Sequence, residues 1–258
     1  MKGDHSMLLK NKIAIITGAA QGIGFAIAKM YAQQGATVVI GDINIDSAQV
    51  SAEKIAGETG REVSACQLDI SDKASVHKVV EAVIAKFGRI DILVNNAGIC
   101  PHATLLTMDD ILWDKVFAIN VRGTFLMTQA VGRHMVKAKQ GKIINIASCS
   151  GKKPTLEEAA YCSSKSAVIG LTRVTALELG IYGITCNAIC PGATDSQMLR
   201  STILTSPEIE QEWINKTALK RLGKPEDQAR VAVFLGSELS NHMTGESLIV
   251  SAGEVMTQ

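Results

Sequence analysis

The sequence is poor in aromatic residues, nearly neutral in net charge and free of long apolar runs. Only 4% of its 258 residues are aromatic, and interleaved acidic and basic residues leave a formal net charge of +1. This balance excludes the basic footprint that nucleic-acid binding requires. No apolar run approaches the roughly 20 residues that span a bilayer, and the opening residues MKGDHSM lack the apolar segment of a signal peptide. We therefore expect a cytoplasmic protein without a nucleic-acid or membrane partner.

Metal-binding cysteine patterns are also missing from the chain. The six cysteines are Cys66, Cys100, Cys149, Cys162, Cys186 and Cys190. None belongs to a CxxC pair or has the spacing of zinc ligands. We expect small, reduced core residues at these positions, and the sequence predicts no metal site.

What the chain does contain is a repeated alternation of apolar strands and amphipathic helices. A composition that is 47% hydrophobic and 20% charged supports a large core. Strands that are apolar throughout and alternate with helices indicate a parallel sheet covered on both faces. Right-handed crossovers then give a doubly wound α/β fold. The predicted strands are 12–18, 37–42, 63–70, 92–98, 142–148, 184–192 and 247–253.

The sequence predicts a single domain over residues 7–258. The second methionine, Met7, suggests that residues 1–6 are a cloning remnant or a disordered N-terminus. No linker or repeat divides the remainder. The longest gap between strands follows Gly192, at the carboxyl end of a strand, where ligands bind in open α/β sheets. Long connections often form lids, so we expect its first part, about 193–225, to be a substrate loop.

A glycine-rich turn, TGAAQGIG (17–24), follows the first strand and opens the first helix. Gly18 permits a tight turn, Gly22 lets backbone approach a pyrophosphate, and Gly24 lets helix and strand pack closely. The N–H groups and positive dipole end of the helix favour phosphate. Many such turns simply end strands. A strand before, a helix after and an acid ending the next strand indicate a dinucleotide site.

That acid is Asp42, which closes the stretch TVVIGD. Its carboxylate is suited to accept both hydroxyls of an adenosine ribose, whereas a 2′-phosphate would meet a like charge. Like charges ~4 Å apart repel by about 4 kcal/mol at an effective dielectric of ~20. Ala19, Ala20 and Ile43 offer no cation to offset this repulsion. The sequence therefore favours NAD over NADP, with a turn or helix-cap residue as the alternative for Asp42.

The stretch AAYCSSKSAVIG (159–170) places Tyr161 and Lys165 one helical turn apart, so that both side chains share a face. An unperturbed phenol, with a pKa of ~10, is a poor base at neutral pH. An ammonium ~4 Å away supplies about 4 kcal/mol at an effective dielectric of ~20, enough to lower that pKa by about 3. We therefore predict that Lys165 makes Tyr161 a general base for hydride transfer from an alcohol to NAD.

Two polar residues upstream complete the predicted catalytic set. Ser148 ends the strand KIINIAS, where its hydroxyl can hold a substrate oxygen, although strand-end capping is the more common role. Asn120 lies within a long helical pattern (110–136), where asparagine is unfavourable without a function. We predict that the Asn120 amide orders a water that relays protons to the lysine.

Together these residues resemble the short-chain dehydrogenase/reductase family in its single-domain form. The resemblance runs from about Leu9 to the C-terminus. It implies a Rossmann-type sheet of seven parallel strands with helices on both faces, assembled as a homotetramer. The motifs that carry it are TGAAQGIG (17–24), Asp69 in LDI, NNAG (95–98), Asn120, Ser148, YCSSK (161–165) and PGATDS (191–196).

The resemblance also implies which residues hold the cofactor. Asp69 would bind the adenine amino group, and Lys165 the nicotinamide ribose in addition to acting on the tyrosine. Ser196 stands where many members carry threonine, so the hydroxyl is retained. The implied cofactor-binding set is Gly18, Gln21, Gly22, Ile23, Gly24, Asp42, Asp69, Ile70, Asn96, Ala97, Gly98, Tyr161, Lys165, Pro191, Gly192 and Thr194.

Clues to the substrate come from the loop that precedes the tyrosine. Lys152, Lys153, Glu157 and Glu158 make this loop unusually charged, which favours a polyol, sugar or hydroxy acid over a steroid. A solvated loop face is the alternative. His102 is close enough along the chain to NNAG to reach the pocket, or it is an ordinary loop residue.

We predict an NAD-dependent dehydrogenase of a small polar secondary alcohol, or a reductase of its ketone. One alternative is a 3-oxoacyl-thioester reductase, although such enzymes usually take NADPH, which Asp42 disfavours. Another is a non-catalytic NAD-binding protein, but that would be expected to lose the tyrosine or the lysine. A nucleotide-sugar epimerase shares YxxxK, but usually needs a larger substrate domain than 258 residues allow.

Overall fold

Seven short strands lie at the centre of the molecule, and each falls within one of the runs predicted from the sequence, apart from one extra residue at the start of the fifth. They pair in parallel throughout. Several predicted runs extend past the strand end, because their last residues leave the sheet as loops. The strands are β1 Ile13–Thr17, β2 Thr37–Asp42, β3 Val63–Gln67, β4 Ile92–Asn95, β5 Gly141–Ile146, β6 Ile184–Pro191 and β7 Ser247–Val250.

The order across the sheet is β3-β2-β1-β4-β5-β6-β7, a doubly wound arrangement. It reverses direction between β1 and β4, where consecutive crossovers pass to opposite faces of the sheet. In open α/β sheets this switch point, at the carboxyl ends of the strands, is where ligands bind. The fold therefore brings the loops after β1, β2, β4, β5 and β6 to one edge.

Helices cover both faces of the sheet. The described helices are α1 Gly22–Gln33, α2 Ile45–Thr59, α3 Lys73–Phe87, α4 Asp110–Phe117, α5 Thr124–Ala138, α6 Ala159–Leu179, α7 Gln197–Thr202, α8 Pro207–Lys216 and α9 Pro225–Gly236. The single helix predicted over 110–136 is wrong in one respect. A π-helical turn, Ala118–Gly123, separates α4 from α5.

Side chains that alternate along each strand divide the core into two halves. Ile16 packs with residues of α1, α2 and α9 on one face. Ile15, next to it in the chain, packs with residues of α3, α5 and α6 on the other face. Both are fully buried. This alternation is the reason that the strands carry apolar residues on both faces of the sheet, and not only at every second position.

The computed structural model describes residues 7–202 and 204–256. The expectation of a cloning remnant or a disordered N-terminus falls on residues 1–6, which lie outside this part of the chain. Within the described residues, none of the helices has the length and apolar character needed to cross a membrane.

Candidate active site

A cleft of about 1060 Å³ opens at the switch point of the sheet. Pockets for a single small ligand span about 300–1,000 Å³, so this cleft has room for a dinucleotide and a small substrate together. Of the predicted site residues, those that line the cleft are Gly18, Gln21, Gly22, Ile23, Asp42, Asp69, Ile70, Asn96, Ala97, Gly98, Ser148, Tyr161, Lys165, Pro191, Gly192 and Thr194. Gly24 and Asn120 are not part of the lining.

The N-terminus of α1 is left open toward the cleft. Its cap residue, Gln21, makes no side-chain hydrogen bond to the first turn, and that turn contains no acidic residue. By contrast, α2, α3, α4 and α8 are each capped by the side chain of Asn44, Asp72, Asp109 or Ser206. Unpaired N–H groups at the positive end of a helix favour phosphate. This end of the cleft fits the pyrophosphate of a dinucleotide.

Two glycines of the turn have different structural requirements. Gly22 has φ +59°, which favours glycine, and a Cβ there would meet only Ser196 Cβ, at 3.9 Å. At Gly24 a Cβ would lie 2.5 Å from the carbonyl oxygen of Gly18 and 2.5 Å from Asn96 Nδ2. Gly24 therefore serves the close packing of α1 against the turn after β1 and against Asn96, and of these two glycines only Gly22 presents open backbone to the cleft.

Two carboxylates at the adenosine end are held in place by backbone N–H groups. Asp42 accepts from Ala20 N at 3.0 Å and from Asn44 N at 3.1 Å. Asp69 accepts both hydrogen bonds of Ser71 through Oδ1, at 2.9 and 2.7 Å. Both groups line the cleft in orientations fixed before any ligand binds.

Asn96 fixes the glycine turn from the neighbouring strand. Its Nδ2 donates to Thr17 O at 2.9 Å and to Gly18 O at 2.8 Å. Thr17 Oγ1 in turn accepts from the backbone N–H groups of Asn96 and Ala97. The sequence predicts that Asn96–Gly98 contacts adenosine. In the structure this stretch also joins the end of β1 to the end of β4 through hydrogen bonds.

Tyr161, Lys165 and Ser148 meet at the other end of the cleft. Tyr161 and Lys165 lie on one face of α6, with the lysine Nζ 5.5 Å from the centroid of the tyrosine ring. Lys165 is buried and donates to Ile146 O at 2.8 Å. Ser148, just after β5, accepts from Ser150 N at 3.0 Å through its Oγ. The spacing predicted from the sequence is present, with the ammonium lying over the ring.

The expected effect of Lys165 on the tyrosine needs correction. In the protein alone, burial raises the pKa of Tyr161 above its usual value, Cys100 adds to the rise, and a hydrogen bond with Ser148 opposes it. Burial also lowers the pKa of Lys165 itself, to about 8. The pKa shift predicted from the sequence includes only the effect of the ammonium. In the folded protein both groups are also desolvated, and the nearby Glu158 raises the pKa of Tyr161 further.

Asn120 holds the loop after β4 against α6. Its Oδ1 accepts from Ile99 N at 2.9 Å, and its Nδ2 donates to Ile99 O and to Ser164 Oγ at 2.9 and 3.0 Å. The amide is therefore occupied largely by protein groups. A water relay through Asn120 stays a prediction. In this arrangement such a water can bind only to the second lone pair of Asn120 Oδ1.

The loop before the tyrosine is less solvated than its charge suggests. Glu158 is buried, 3% exposed, and lines the cleft together with Lys153, whereas Lys152 and Glu157 do not. Burial raises the pKa of the Glu158 carboxyl. His102 Nε2 lies 3.8 Å from Glu158 Oε1, but His102 itself is not part of the cleft lining.

Sequence reasoning missed several residues of this wall, which come from separate segments. No motif marks them, because only the closure of the loops brings them together. Glu254, for example, reaches back from the C-terminal segment to accept from Ala193 N at 3.0 Å. The others are Cys100, Thr155 and Leu156, whereas Met198, Leu199, Trp213 and Lys216 lie within the substrate loop predicted over about 193–225.

Comparison with known proteins identifies relatives that match almost the whole chain. A family model described as enoyl-(acyl carrier protein) reductase matches residues 18–254. The 3-oxoacyl-(acyl-carrier-protein) reductase FabG of Chlamydia trachomatis is 38% identical, covering 96% of this chain and 99% of that protein. D-threitol dehydrogenase of Mycolicibacterium smegmatis is 38% identical, covering 97% of this chain and 95% of that protein.

Solved structures of related proteins have the same fold. A short-chain type dehydrogenase/reductase from Mycobacterium marinum superposes with a TM-score of 0.92 at 33% identity, covering 98% of each chain. The doubly wound sheet and the glycine turn define an oxidoreductase of the dinucleotide-binding class. Within that class, the chain belongs to the short-chain dehydrogenase/reductase family.

Proposed function

We propose that the protein is an NAD-dependent dehydrogenase of a small polar secondary alcohol, or a reductase of the corresponding ketone. One observation carries this proposal: Ser148, Tyr161 and Lys165 line the same cleft as the open end of α1 and Asp42. The proton-handling groups and the dinucleotide-binding groups thus share one cavity. That juxtaposition is what hydride transfer to or from a carbinol carbon requires.

Each catalytic side chain has a distinct task in this proposal. Bound NAD supplies the hydride acceptor. Tyr161 exchanges a proton with the substrate oxygen through its hydroxyl, and Ser148 holds that oxygen by a neutral hydrogen bond. Lys165, mostly protonated below its pKa of about 8, stabilises negative charge on the phenol oxygen.

Asp42 supports the choice of NAD. Its carboxylate lines the cleft, and its neighbours Ala20, Gln21 and Ile43 carry no positive charge. A 2′-phosphate next to this group would meet repulsion of about 4 kcal/mol at ~4 Å and an effective dielectric of ~20. The 2′- and 3′-hydroxyls of NAD would instead donate hydrogen bonds to it.

Polar groups in the substrate half of the cleft support a polar alcohol. Glu158 and Lys153 lie there beside Ser150 and Thr155, and a polyol offers hydroxyls to pair with such groups. The 38% identity to D-threitol dehydrogenase agrees with this class. A second candidate, reduction of a 3-oxoacyl thioester, is favoured by the 38% identity to the Chlamydia trachomatis reductase.

A substrate screen tests the two candidates against each other. NADH formation is measured over polyols, sugars, hydroxy acids and simple secondary alcohols, with NADP as the parallel cofactor. Oxidation of NADPH and NADH is measured with a 3-oxoacyl thioester. We expect the largest kcat/KM for NAD with a polyol or sugar. A larger kcat/KM for NADPH with the thioester would replace the first candidate by the second.

We infer further that the protein acts as a homotetramer in the cytoplasm. Exposed apolar side chains on α5, α6 and the turn after α6 support the assembly, since such groups favour burial against another copy. Phe125 is 42% exposed, Val174 50%, and Leu177 and Ile181 are each 81% exposed. These four side chains are not part of the cleft lining.

A further inference from the structure

Three different metal-ligating side chains converge beside the cleft, and two of them, Cys100 and Glu158, line it. Cys100 and His102 come from the loop after β4, and Glu158 lies directly before α6. One ligand atom of each lies within 4.8 Å of the other two. The spacing rules applied to the sequence do not detect this group, because Glu158 is 56 residues beyond His102 and only the fold brings them together.

Backbone pairing holds these ligands in register. Ala103 forms an isolated parallel bridge with Glu158, and its N–H donates to Glu157 O at 2.8 Å. The two segments that carry the ligands are thus joined next to the ligands themselves. The cluster is part of the folded framework and does not depend on the chance approach of two loops.

Within the described residues, the three side chains are held by weak or missing hydrogen bonds. His102 Nε2 is buried without a hydrogen bond, and its 3.8 Å separation from Glu158 Oε1 is too long for one. The Glu158 carboxyl has the Ser150 hydroxyl and the thiols of Cys100 and Cys162 as donors but no cation, and thiols are weak donors. A buried carboxylate without a cation is costly, and buried polar atoms without partners are rare. A cation between the three groups would satisfy all of them.

We propose that Cys100, His102 and Glu158 bind one divalent cation of the zinc class. A thiolate, an imidazole and a carboxylate suit zinc or cobalt, whereas magnesium and calcium prefer oxygen ligands. Bonds of about 2.0–2.3 Å place tetrahedral ligand atoms roughly 3.3–3.8 Å apart, so only a modest contraction is needed. As the Cys100 sulfur–metal bond forms, the thiol proton passes to solvent.

Three protein ligands leave one coordination position for water or another oxygen. Cys100 and Glu158 both line the cleft, so that position faces the cavity that contains Tyr161. Hydride transfer does not depend on this cation. Glu158 would be shared between the cation and a polyol substrate, but the metal titration uses neither NAD nor alcohol, so its failure leaves the assignment of the hydride transfer unchanged.

Cobalt is the probe for the test, because a thiolate ligand gives Co²⁺ an intense near-ultraviolet charge-transfer band. The reduced full-length protein is titrated with Co²⁺, and Zn²⁺ is then added in competition. We expect one Co²⁺ per chain, a thiolate band, and loss of that band when Zn²⁺ displaces it. Cys100→Ser should remove the band, and His102→Ala and Glu158→Gln should each weaken binding at least about tenfold.

Matched controls separate this site from its surroundings. His134 pairs with Glu81 at 3.0 Å on the surface without a cysteine in the group, so His134→Ala should leave Co²⁺ affinity unchanged. Cys162→Ser removes a thiol that contacts Glu158 but lies outside the triad, and should keep the band. Absence of the band from the wild type, its persistence in Cys100→Ser or its loss in Cys162→Ser would overturn the proposal.

A second measurement needs no variant at Cys100. Iodoacetamide labelling of the wild-type protein, located by peptide mass spectrometry, is compared with and without Zn²⁺. We expect Zn²⁺ to slow the labelling of Cys100 at least about tenfold, as required for a bound thiolate, and to leave Cys66 unaffected. Equal labelling of Cys100 under both conditions contradicts the site even if the serine variant fails to fold.

Discussion

At the scale of single residues, the proton transfer assigned to Tyr161 depends on one hydroxyl group. Replacement by phenylalanine keeps the ring that packs beside Lys165 but removes the proton donor and acceptor. We expect Tyr161→Phe to lower kcat by about 10²- to 10⁴-fold, while NADH affinity stays nearly unchanged. Initial rates and NADH fluorescence titration measure the two quantities. Activity within tenfold of the wild type would contradict the proposed role.

The buried Lys165 is expected to make the free energy of unfolding depend on pH. Its pKa is lowered from 10.5 to about 8 in the folded protein. Between these values the unfolded chain binds more protons than the native one, so this residue raises the free energy of unfolding as pH increases. Measured by urea denaturation against Lys165→Met, the wild type should gain about 2 kcal/mol between pH 7 and pH 9.5.

The comparison with Lys165→Met is essential for that measurement. Burial raises the pKa of the Cys66 and Cys186 thiols, which lowers the stability of both variants as pH rises through the thiol range, because the unfolded chains lose protons first. The difference between the variants cancels this background. A difference that is constant over the same pH range would show that the lysine pKa is close to its ordinary value.

Asp42 predicts the cofactor preference. In Asp42→Ala the like charge that faces a 2′-phosphate is gone, and so is the acceptor for the ribose hydroxyls of NAD. We expect the ratio of kcat/KM for NAD over NADP to fall by at least about tenfold. Asp46→Ala, which removes an acid in the first turn of α2, is the control and should leave the ratio unchanged. Equal ratios in all three proteins would exclude Asp42 from the choice.

The sequence predicts the identity of these groups better than their electrostatics. Tyr161 and Lys165 share a helix, so a spacing of four residues is enough to place them on one face. Their pKa values depend on desolvation by segments far away in the chain, which no local pattern encodes. Glu158 illustrates the same limit, since a charged loop sequence gives no sign that one of its carboxylates is buried.

At the scale of secondary-structure elements, the π-helical turn between α4 and α5 explains the position of Asn120. A regular helix through 110–136 would leave asparagine as an unfavourable interior residue. The π-turn Ala118–Gly123 contains it instead, and such turns are often associated with functional sites. There its amide joins Ile99 to Ser164. The asparagine within the helical pattern indicates that the helix is interrupted here. The apolar periodicity of 110–136 alone does not predict this π-turn.

The packing of α1 against the turn that follows β1 gives a prediction about stability. An alanine at Gly24 would place a methyl group 2.5 Å from the carbonyl oxygen of Gly18, so the helix has to move. We expect Gly24→Ala to lower the free energy of unfolding by about 1–3 kcal/mol and to weaken NADH binding. Chemical denaturation and fluorescence titration measure both effects.

The matched control for this variant is Gly57, in the interior of α2, where a Cβ would meet nothing within 4 Å. Gly57→Ala should raise the free energy of unfolding by roughly 0.5–1 kcal/mol without a change in NADH affinity. The two glycines therefore predict opposite signs for one chemical change. Equal effects would mean that helix propensity, and not contact with the turn after β1, determines the result at Gly24.

At the scale of the whole molecule, the strands could be predicted because the sheet is covered on both faces. The run 37–42 is apolar between Thr37 and Asp42, and β2 occupies that whole run. The predicted strands 63–70 and 92–98 are too long, since β3 ends at Gln67 and β4 at Asn95. The excess residues, including Asp69 and Asn96, form the loops of the cleft. The strand ends are hard to predict because the apolar pattern continues into the site.

The assembly of copies is the property least determined by a single chain. Leu177, on α6, is 81% exposed, which is costly for a monomer but favourable at an interface. We expect Leu177→Asp to shift the protein from a tetramer to smaller species in multi-angle light scattering, because an interface disfavours an unpaired buried charge. Val50→Lys alters an apolar residue that is 66% exposed on α2, away from α5 and α6, and should keep the wild-type mass. A monomeric wild type, or an equal shift in both variants, would contradict assembly through α6.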